Sequence, residues 1–187
     1  MPDADAAAKA ASYLEECKAM QNSAGGIIEC VITGVPAGIG DPVFEKIDAN
    51  LAKAIFSIGA VKGFEIGDGF AVAAATGLTN NDAFVTDENG SVTKETNHAG
   101  GILGGISDGS PIVFRAAIKP TPSVASTQKT INKNGEEIEI NIKGRHDPII
   151  VPRAVVVVES MAAITIFDAM LSNMSARMDG IKDFYKK

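Results

Sequence analysis

The sequence predicts an α+β fold, in which helices pack on one face of a mostly antiparallel sheet. Three observations lead to that class: the elements follow the order strand, helix, several strands and helix, one segment is typical of a hairpin, and regular βαβ crossovers are absent. The 187 residues contain no fixed-period repeat and no low-complexity linker. We therefore expect residues 1–187 to form a single domain.

The first 60 residues predict two helices with a strand between them. An Ala-rich segment reaching about Lys18 predicts a helix that ends before Gly25-Gly26, and IIECVITGVP predicts a strand to Gly34. Asp41 as an N-cap and Pro42 at the first helical position predict the start of the second helix. Its apolar residues recur at steps of three or four: Val43, Ile47, Leu51, Ile55 and Ile58.

The middle of the chain predicts extended structure and one long loop. VKGFEIGDGFAVAAATG indicates a strand, a turn at residues 67–69 and a second extended segment. Residues 80–96 are polar and rich in turn-forming residues, so we expect an exposed and mobile loop there.

The remaining elements are two extended segments and a long helix. PIVFRAAIKP predicts a strand that must end at Pro120, and QKTINKNGEEIEINI predicts a hairpin with a type I′ turn at Asn134-Gly135. IVPRAVVVVESMAAITIFDAML is apolar on nearly every side and predicts a buried helix starting near Pro152. Its four consecutive valines would equally suit a strand.

Charge and cysteine content limit the class of protein. The net charge of -6 argues against a nucleic-acid partner, because binding to the phosphate backbone requires Lys and Arg. Residues 115–153 are locally basic, with seven Lys or Arg against four acids, which indicates either a solvated face or a pocket for a small anion. Cys17 and Cys30 have no metal-ligand spacing and favour a reducing compartment. With no secretory signal pattern and no long apolar run, we expect a cytoplasmic protein with no membrane contact and no metal.

A glycine-rich segment, NHAGGILGGISDG at residues 97–109, is the first candidate for a site. It lacks the Gly-Lys-Ser/Thr of a P-loop and the G-x-G-x-x-G of a dinucleotide fold, and it precedes a strand rather than a helix. Paired glycines permit positive φ and an approach of backbone to a flat ligand. Tight turns packed against other backbone are the alternative interpretation, and His98 beside them has either a structural role or a ligand contact.

Two further segments carry charge. Arg145, His146 and Asp147 precede the long apolar helix, and they form either a surface salt bridge or one side of a cavity. Residues 119–123, KPTPS, combine a cation with two hydroxyl groups on a backbone fixed by proline, which suits an anionic group. An ordinary loop at the end of a strand is the alternative for this segment.

The order of these segments resembles the C-terminal half of chorismate synthase. GIGDPVFEKIDANLAKAIFSIGAVKGFEIGDGF, TNHAGGILGGISDGSPIVFRAAIKPTPS and GRHDPIIVPRAVVVVESMAA follow one another as in that family, over about residues 25–171. The resemblance implies half of a βαββαβ-type sandwich and an FMN-dependent lyase. The family removes phosphate from 5-enolpyruvylshikimate 3-phosphate by an anti-1,4-elimination that gives chorismate. It uses reduced FMN, uses NADPH only where an enzyme is bifunctional, and forms homotetramers.

The resemblance also assigns residues to the site. It implies that Asp147 is catalytic and exchanges a proton with N5 of the flavin. The implied flavin contacts are Gly59, Ala60, Gly104, Lys119, Pro120, Thr121, Pro122, Ser123 and Arg145. Gly59 stands where many members have a larger polar residue, and Pro122 replaces a common serine.

Family members are roughly twice as long as this chain, and their N-terminal half supplies catalytic histidines and most substrate-binding arginines. We therefore expect a fragment that needs the missing N-terminal half, a small phosphorylated substrate and other copies of itself as partners. On the alternative hypothesis, the chain is a non-catalytic folding and oligomerisation module that binds flavin weakly. Either hypothesis predicts that the chain alone is inactive.

Overall fold

Four α-helices, nine short strands and one 3-10 helix make up the computed structural model, which describes residues 3–144 and 146–186. The helices are α1 (Ala4–Ala19), α2 (Ile47–Phe56), α3 (Val151–Asn173) and α4 (Met178–Tyr185). The strands are β1 (Gly26–Ile32), β2 (Val61–Ile66), β3 (Phe84–Thr86), β4 (Val92–Lys94), β5 (Ile102–Leu103), β6 (Ile106–Ser107), β7 (Ile112–Ile118), β8 (Gln128–Ile131) and β9 (Glu137–Ile140). The 3-10 helix spans Gly69–Ala74.

The main sheet has the strand order β1-β7-β2, and both pairings are antiparallel. Ile118, at the end of β7, lies opposite Gly26 on one side and Val61 on the other. Ile112, Phe114, Ala116 and Ile118 are all buried, as expected for alternate residues that face the core. The predicted strand ending before Pro120 and the mostly antiparallel sheet are confirmed.

Helices α2 and α3 cover the buried face of this sheet. Helix α2 contributes Ile47, Leu51 and Ile55, which are completely buried at four-residue intervals. Burial of side chains this large contributes about 1.5–3 kcal/mol each to the free energy of folding. The layer of helices on one face agrees with the predicted fold class, and helix α1 agrees with the predicted N-terminal helix.

The predicted start of α2 at Pro42 is wrong, because the helix begins at Ile47. Asp41 and Glu45 instead form an isolated antiparallel bridge, in which the Asp41 N–H donates to the Glu45 carbonyl at 3.0 Å. The Ile47 N–H donates to the Gly105 carbonyl at 2.9 Å, so the first helical turn is held by a segment far along the chain. The apolar spacing therefore begins at Val43, before the helix itself begins.

Two predictions for the middle of the chain need correction. Gly69–Ala74 is a 3-10 helix rather than an extended segment. Its first turn is held by Glu65, whose carboxylate accepts from the Phe70 N–H at 3.0 Å. Within residues 80–96, β3 and β4 form an antiparallel hairpin that pairs Phe84 with Lys94. The hairpin is mostly exposed, and its mobility stays a prediction.

Strands β8 and β9 confirm the predicted hairpin, but its turn is not type I′. Of its residues, Gly135 has a positive φ of 85° and Asn134 does not, whereas type I′ requires both. The Asn132 N–H donates to the Glu136 carbonyl at 3.0 Å across a three-residue loop. The Asn132 side chain also accepts from the N–H groups of Asn134 and Glu136, which explains the choice of turn.

Helix α3 is confirmed as a helix with Pro152 in its first turn, but the prediction that it is buried is wrong. Val158, Ala162 and Ile166 face the sheet and are buried, while Val156 and Phe167 are 60% and 63% exposed. The described elements pack against one side of α3 and leave the other side uncovered. By length and composition, α3 is also the one described helix that could cross a membrane, a test that core helices of soluble proteins pass as well.

Candidate functional site

Two of the predicted site segments meet at the end of the sheet where β7 stops. Lys119 directly follows β7, and its N–H donates to the Ala60 carbonyl at 2.9 Å. Gly59 and Ala60 form the turn before β2, and Ala60 has a positive φ of 71°. Residues with a side chain rarely adopt this conformation. The pairing of β2 with β7 therefore brings Gly59, Ala60 and Lys119 together.

Residues 119–123 combine a free cation with an unsatisfied hydroxyl group. Lys119 is exposed and forms no ion pair with a residue that the structure describes. The Thr121 carbonyl accepts from the Ser23 hydroxyl at 2.7 Å, which holds the loop in place. The Thr121 hydroxyl oxygen is buried and has no hydrogen-bond partner among the described residues. Since buried polar groups are nearly always paired, this hydroxyl is a candidate ligand contact.

Asp147 lies near the same end of the sheet. The next residue, Pro148, accepts from the Ala24 N–H at 2.7 Å, and Ala24 adjoins the start of β1. Arg153 forms an ion pair with the Asp147 carboxylate, with 2.8 Å between the nitrogen and the oxygen, and the Asp147 side chain is 32% exposed. His146 donates through Nε2 to the Ile142 carbonyl at 2.8 Å. The prediction for Arg145 lies outside the described residues.

Residues 23–26 connect the two segments, a role that the sequence analysis missed. Ser23 bonds to Thr121 and Ala24 bonds to Pro148, so this short stretch lies between them. A Cβ added to Gly25 would lie 2.6 Å from the Ile118 carbonyl oxygen, so only glycine fits. The Gly25-Gly26 pair is a sequence signal for this close approach, although it was interpreted only as the end of the first helix.

Gly104 lies at the opposite end of the main sheet. It occupies the turn between β5 and β6, with a φ of 60°, and an added Cβ would have no neighbour within 4 Å. This hairpin precedes β7, whereas Lys119 follows it. Seven residues of strand span about 20 Å. Gly104 is therefore not brought together with Ala60, Lys119 and Asp147 in this chain, and its flavin contact stays a prediction.

The neighbouring glycines at 100 and 101 fit the alternative of tight turns. A Cβ on Gly100 would lie 2.5 Å from the Gly67 nitrogen, and one on Gly101 would lie 2.6 Å from the Pro111 carbonyl oxygen. Both residues also have positive φ, at 65° and 79°. Close backbone packing therefore accounts for these two glycines without a ligand.

His98 belongs to a hydrogen-bond network beside those turns. The ring Nδ1 of His98 lies 2.6 Å from a carboxylate oxygen of Asp68. The backbone N–H of His98 donates to the Asp82 carboxylate at 2.7 Å. Partial burial alone would raise the pKa of Asp82, but hydrogen bonds from Ala99, Thr96 and His98 hold that pKa below its ordinary value. The network agrees with a structural role for His98.

The fold and these contacts define an α+β protein in which one end of the sheet brings Ala60, Lys119 and Thr121 close to the segment that carries Asp147. The family model for chorismate synthase matches residues 1–171. The chain belongs to the chorismate synthase family. The resemblance in the sequence is thereby confirmed.

Relatives and a solved structure agree with this assignment. The chain is 75% identical to the chorismate synthase of Agathobacter rectalis over 187 residues, which are all of this chain and 51% of that relative. It is 66% identical to the chorismate synthase of Lachnoclostridium phytofermentans, again over 51% of the relative. A crystal structure of a chorismate synthase matches 89% of this chain and 43% of that chain, with a TM-score of 0.73 and 33% identity. The chain thus spans about half the length of the relatives it matches.

Proposed function

We propose that this chain supplies one half of the active site of a chorismate synthase, the lyase that converts 5-enolpyruvylshikimate 3-phosphate to chorismate. Family membership supports the reaction. The observation that carries the proposal for the site is the grouping of Ala60, Lys119, Thr121 and Asp147 at one end of the sheet. The proposed flavin-binding surface consists of residues 59–60 and 119–123.

The residues present fit the phosphate of FMN. The buried hydroxyl of Thr121 and the ammonium group of Lys119, neither of which has a partner among the described residues, offer one hydrogen-bond donor and one positive charge to an anion. Pro120 and Pro122 fix the loop that carries them, and Ser123 adds a second hydroxyl. When bound, reduced FMN supplies electron density that helps the substrate phosphate to leave.

Asp147 has the role of proton exchange in this proposal. Its carboxylate is held by Arg153 and remains partly exposed, so it is oriented but still accessible. A positioned carboxylate can take up and return a proton during the reaction. Arg145 is proposed to bind anionic groups next to it, and Gly104 remains a proposed flavin contact.

Because the chain covers only about half of each relative, we propose a second candidate function for the chain by itself. Alone, it is a folding and oligomerisation module that binds FMN weakly and produces no chorismate. The whole enzyme is proposed to be a cytoplasmic homo-oligomer. NADPH has a role only if that enzyme also reduces its flavin.

An anaerobic assay with reduced FMN and 5-enolpyruvylshikimate 3-phosphate tests the proposal. We expect no chorismate from the chain alone, and chorismate once it is combined with the other half of the Agathobacter rectalis relative. Lys119→Met should lower kcat/KM of the combined halves at least about tenfold, since a charge contact to phosphate is lost. Lys129→Met, on exposed strand β8, is the matched control and should have no effect.

Three results would contradict parts of this proposal. Chorismate from the chain alone would refute its inactivity. A tight stoichiometric complex of FMN with the chain alone, seen by fluorescence quenching, would refute weak binding. A stable complex of the two halves that makes no chorismate, while the full-length relative does, would refute the proposed activity.

A further inference from the structure

Ser23 lies outside the proposed flavin-binding surface but contacts the loop 119–123 at its centre. The Ser23 hydroxyl donates to the Thr121 carbonyl at 2.7 Å, and the two residues are 98 positions apart in the chain. Thr121 is the middle residue of that loop and carries the buried hydroxyl that has no partner among the described residues. The bond from Ser23 therefore holds the loop at the residue that presents this hydroxyl.

The two prolines of the loop leave its backbone little other freedom. Each proline ring fixes its own φ, and Pro122 also disfavours a helical conformation at the residue before it. The main freedom left is rotation about the backbone bonds of Thr121, and a bond to the Thr121 carbonyl limits that rotation. Threonine is branched at Cβ and has few χ1 rotamers, so the direction of its hydroxyl follows the backbone. One hydrogen bond from Ser23 can thus orient the Thr121 hydroxyl.

The residues after Ser23 fix it in place. The Ala24 N–H donates to the Pro148 carbonyl at 2.7 Å, and Ala24 is 5% exposed. A Cβ added to Gly26 would lie 3.0 Å from a methyl carbon of Val151, in the first turn of α3. This stretch is therefore packed against the segment that leads into α3, and Ser23 is held with it.

The residues before Ser23 are fixed as well. The Asn22 N–H donates to the Cys17 carbonyl at 2.8 Å, and Cys17 is buried near the end of α1. The Asn22 side chain accepts from the Ser23 N–H at 2.9 Å. Because the backbone is held on both sides of Ser23, its hydroxyl acts from a rigid support on the more mobile partner, which is the loop.

We propose that Ser23 is a positioning residue for the flavin-binding surface. Through the Thr121 carbonyl, it orients the Thr121 hydroxyl for the phosphate of FMN, and Ser23 itself does not touch the cofactor. The inference rests on the proposed function and adds to it a residue that acts on flavin affinity from outside the binding surface.

A double-mutant cycle with Thr121→Val tests the inference. The Kd for FMN is measured by fluorescence quenching, with this chain and the other half of the Agathobacter rectalis relative combined. Ser23→Ala should raise that Kd about fivefold, which is the effect of losing one hydrogen bond. In the Thr121→Val protein, Ser23→Ala should change the Kd by less than about twofold, because the group that Ser23 orients is already absent.

The rate of chorismate formation gives a second readout, one that loss of folded protein would not imitate. Ser23→Ala should raise the half-saturating concentration of reduced FMN about fivefold, while kcat at saturating FMN stays within about twofold. A merely structural role would lower kcat and leave the half-saturating concentration unchanged. Ser175→Ala is the matched control, since it removes an exposed bond from a serine hydroxyl to the Ser172 carbonyl. Both quantities should be unchanged in that variant.

The possible results separate this inference from the proposed function. If Ser23→Ala leaves the Kd unchanged, or raises it equally with and without Thr121→Val, the inference is wrong and the proposed function stands. A lower kcat with an unchanged half-saturating concentration would assign Ser23 to folding and would also overturn the inference. If the unaltered combined halves bind no FMN, the proposed flavin-binding surface is wrong and the role of Ser23 falls with it.

Discussion

The ammonium group of Lys94 contacts the carboxylate of Asp108, and the two side chains are only 3% and 7% exposed. Asp108 also accepts from the Ser110 N–H at 2.8 Å, and its own N–H donates to the Gly101 carbonyl at 3.1 Å. This ion pair therefore connects the β3–β4 hairpin to the glycine-rich segment before β7. Removing either charge would leave the other one buried without this counter-charge.

Lys94→Met should lower the free energy of unfolding by about 3–5 kcal/mol, because the Asp108 carboxylate then stays buried without its counter-charge. Urea unfolding followed by circular dichroism measures the change. Arg177→Gln is the control, since it removes an exposed ion pair with Asp179 and should cause no measurable change. Equal stability of the Lys94→Met variant and the unaltered chain would contradict the importance of the buried pair.

Stability should fall in acid partly because of Asp108. Burial alone would raise its pKa, but Lys94 and Ser110 hold the pKa below the ordinary value of 3.8. The unfolded chain thus binds this proton more readily than the folded chain does. The contribution to stability is fully present above the unfolded pKa, and it is lost as the pH falls through the lower folded pKa.

The measurement for this prediction is the free energy of unfolding in urea at pH values from about 6 to about 2. The decrease with falling pH should be smaller in Asp108→Asn than in the unaltered chain, because the asparagine does not titrate. Asp82→Asn should also flatten the curve, since the pKa of Asp82 is lowered in the same direction. Parallel curves for all three proteins would show that these carboxyl groups do not govern acid stability.

Two glycines at the candidate site should respond differently to alanine. A methyl group at Gly25 would lie 2.6 Å from the Ile118 carbonyl oxygen, whereas one at Gly59 would have no neighbour within 4 Å. Gly25→Ala should therefore cost about 1–3 kcal/mol through overpacking. Gly59→Ala should be neutral or stabilise the chain by less than about 1 kcal/mol. Thermal and urea unfolding of both variants measures the difference, and equal effects would contradict the close approach.

Thr121→Val should separate ligand binding from stability. The substitution keeps the shape of the side chain and removes a buried hydroxyl that has no partner among the described residues. Stability should therefore be unchanged or higher. The Kd for FMN, measured by fluorescence quenching with both halves present, should rise about tenfold, because a hydrogen bond to a charged group is lost. Thr130→Val on exposed β8 is the control, and a Kd unchanged by Thr121→Val would remove Thr121 from the proposed surface.

Local sequence signals predicted the elements that local forces determine. The extended segment PIVFRAAIKP and the position of Pro120 predicted β7, and Pro152 predicted the start of α3. The order of three sequence blocks over about residues 25–171 predicted the family. The two elements depend on residues a few positions apart, so a single sequence contains the necessary information.

The errors concern features that depend on distant contacts. Helix α2 begins at Ile47 because of a bond to Gly105, and no local pattern contains that information. The burial of α3 was overestimated because the apolar pattern shows that a face avoids water but not which chain covers it. The grouping of Ala60, Lys119 and Asp147, and the separation of Gly104 from them, follow from the pairing of β7 with β1 and β2.

The central position of β7 also restricts how this family can change over time. Both edges of the strand are paired, and alternate side chains fill the core, so a shift by one residue would turn Phe114 out of the interior. An insertion or deletion within the strand would therefore damage folding before it altered the spacing between the loops at its two ends. Substitutions in either loop can change its chemistry, while the length of β7 keeps the distance between the two loops constant.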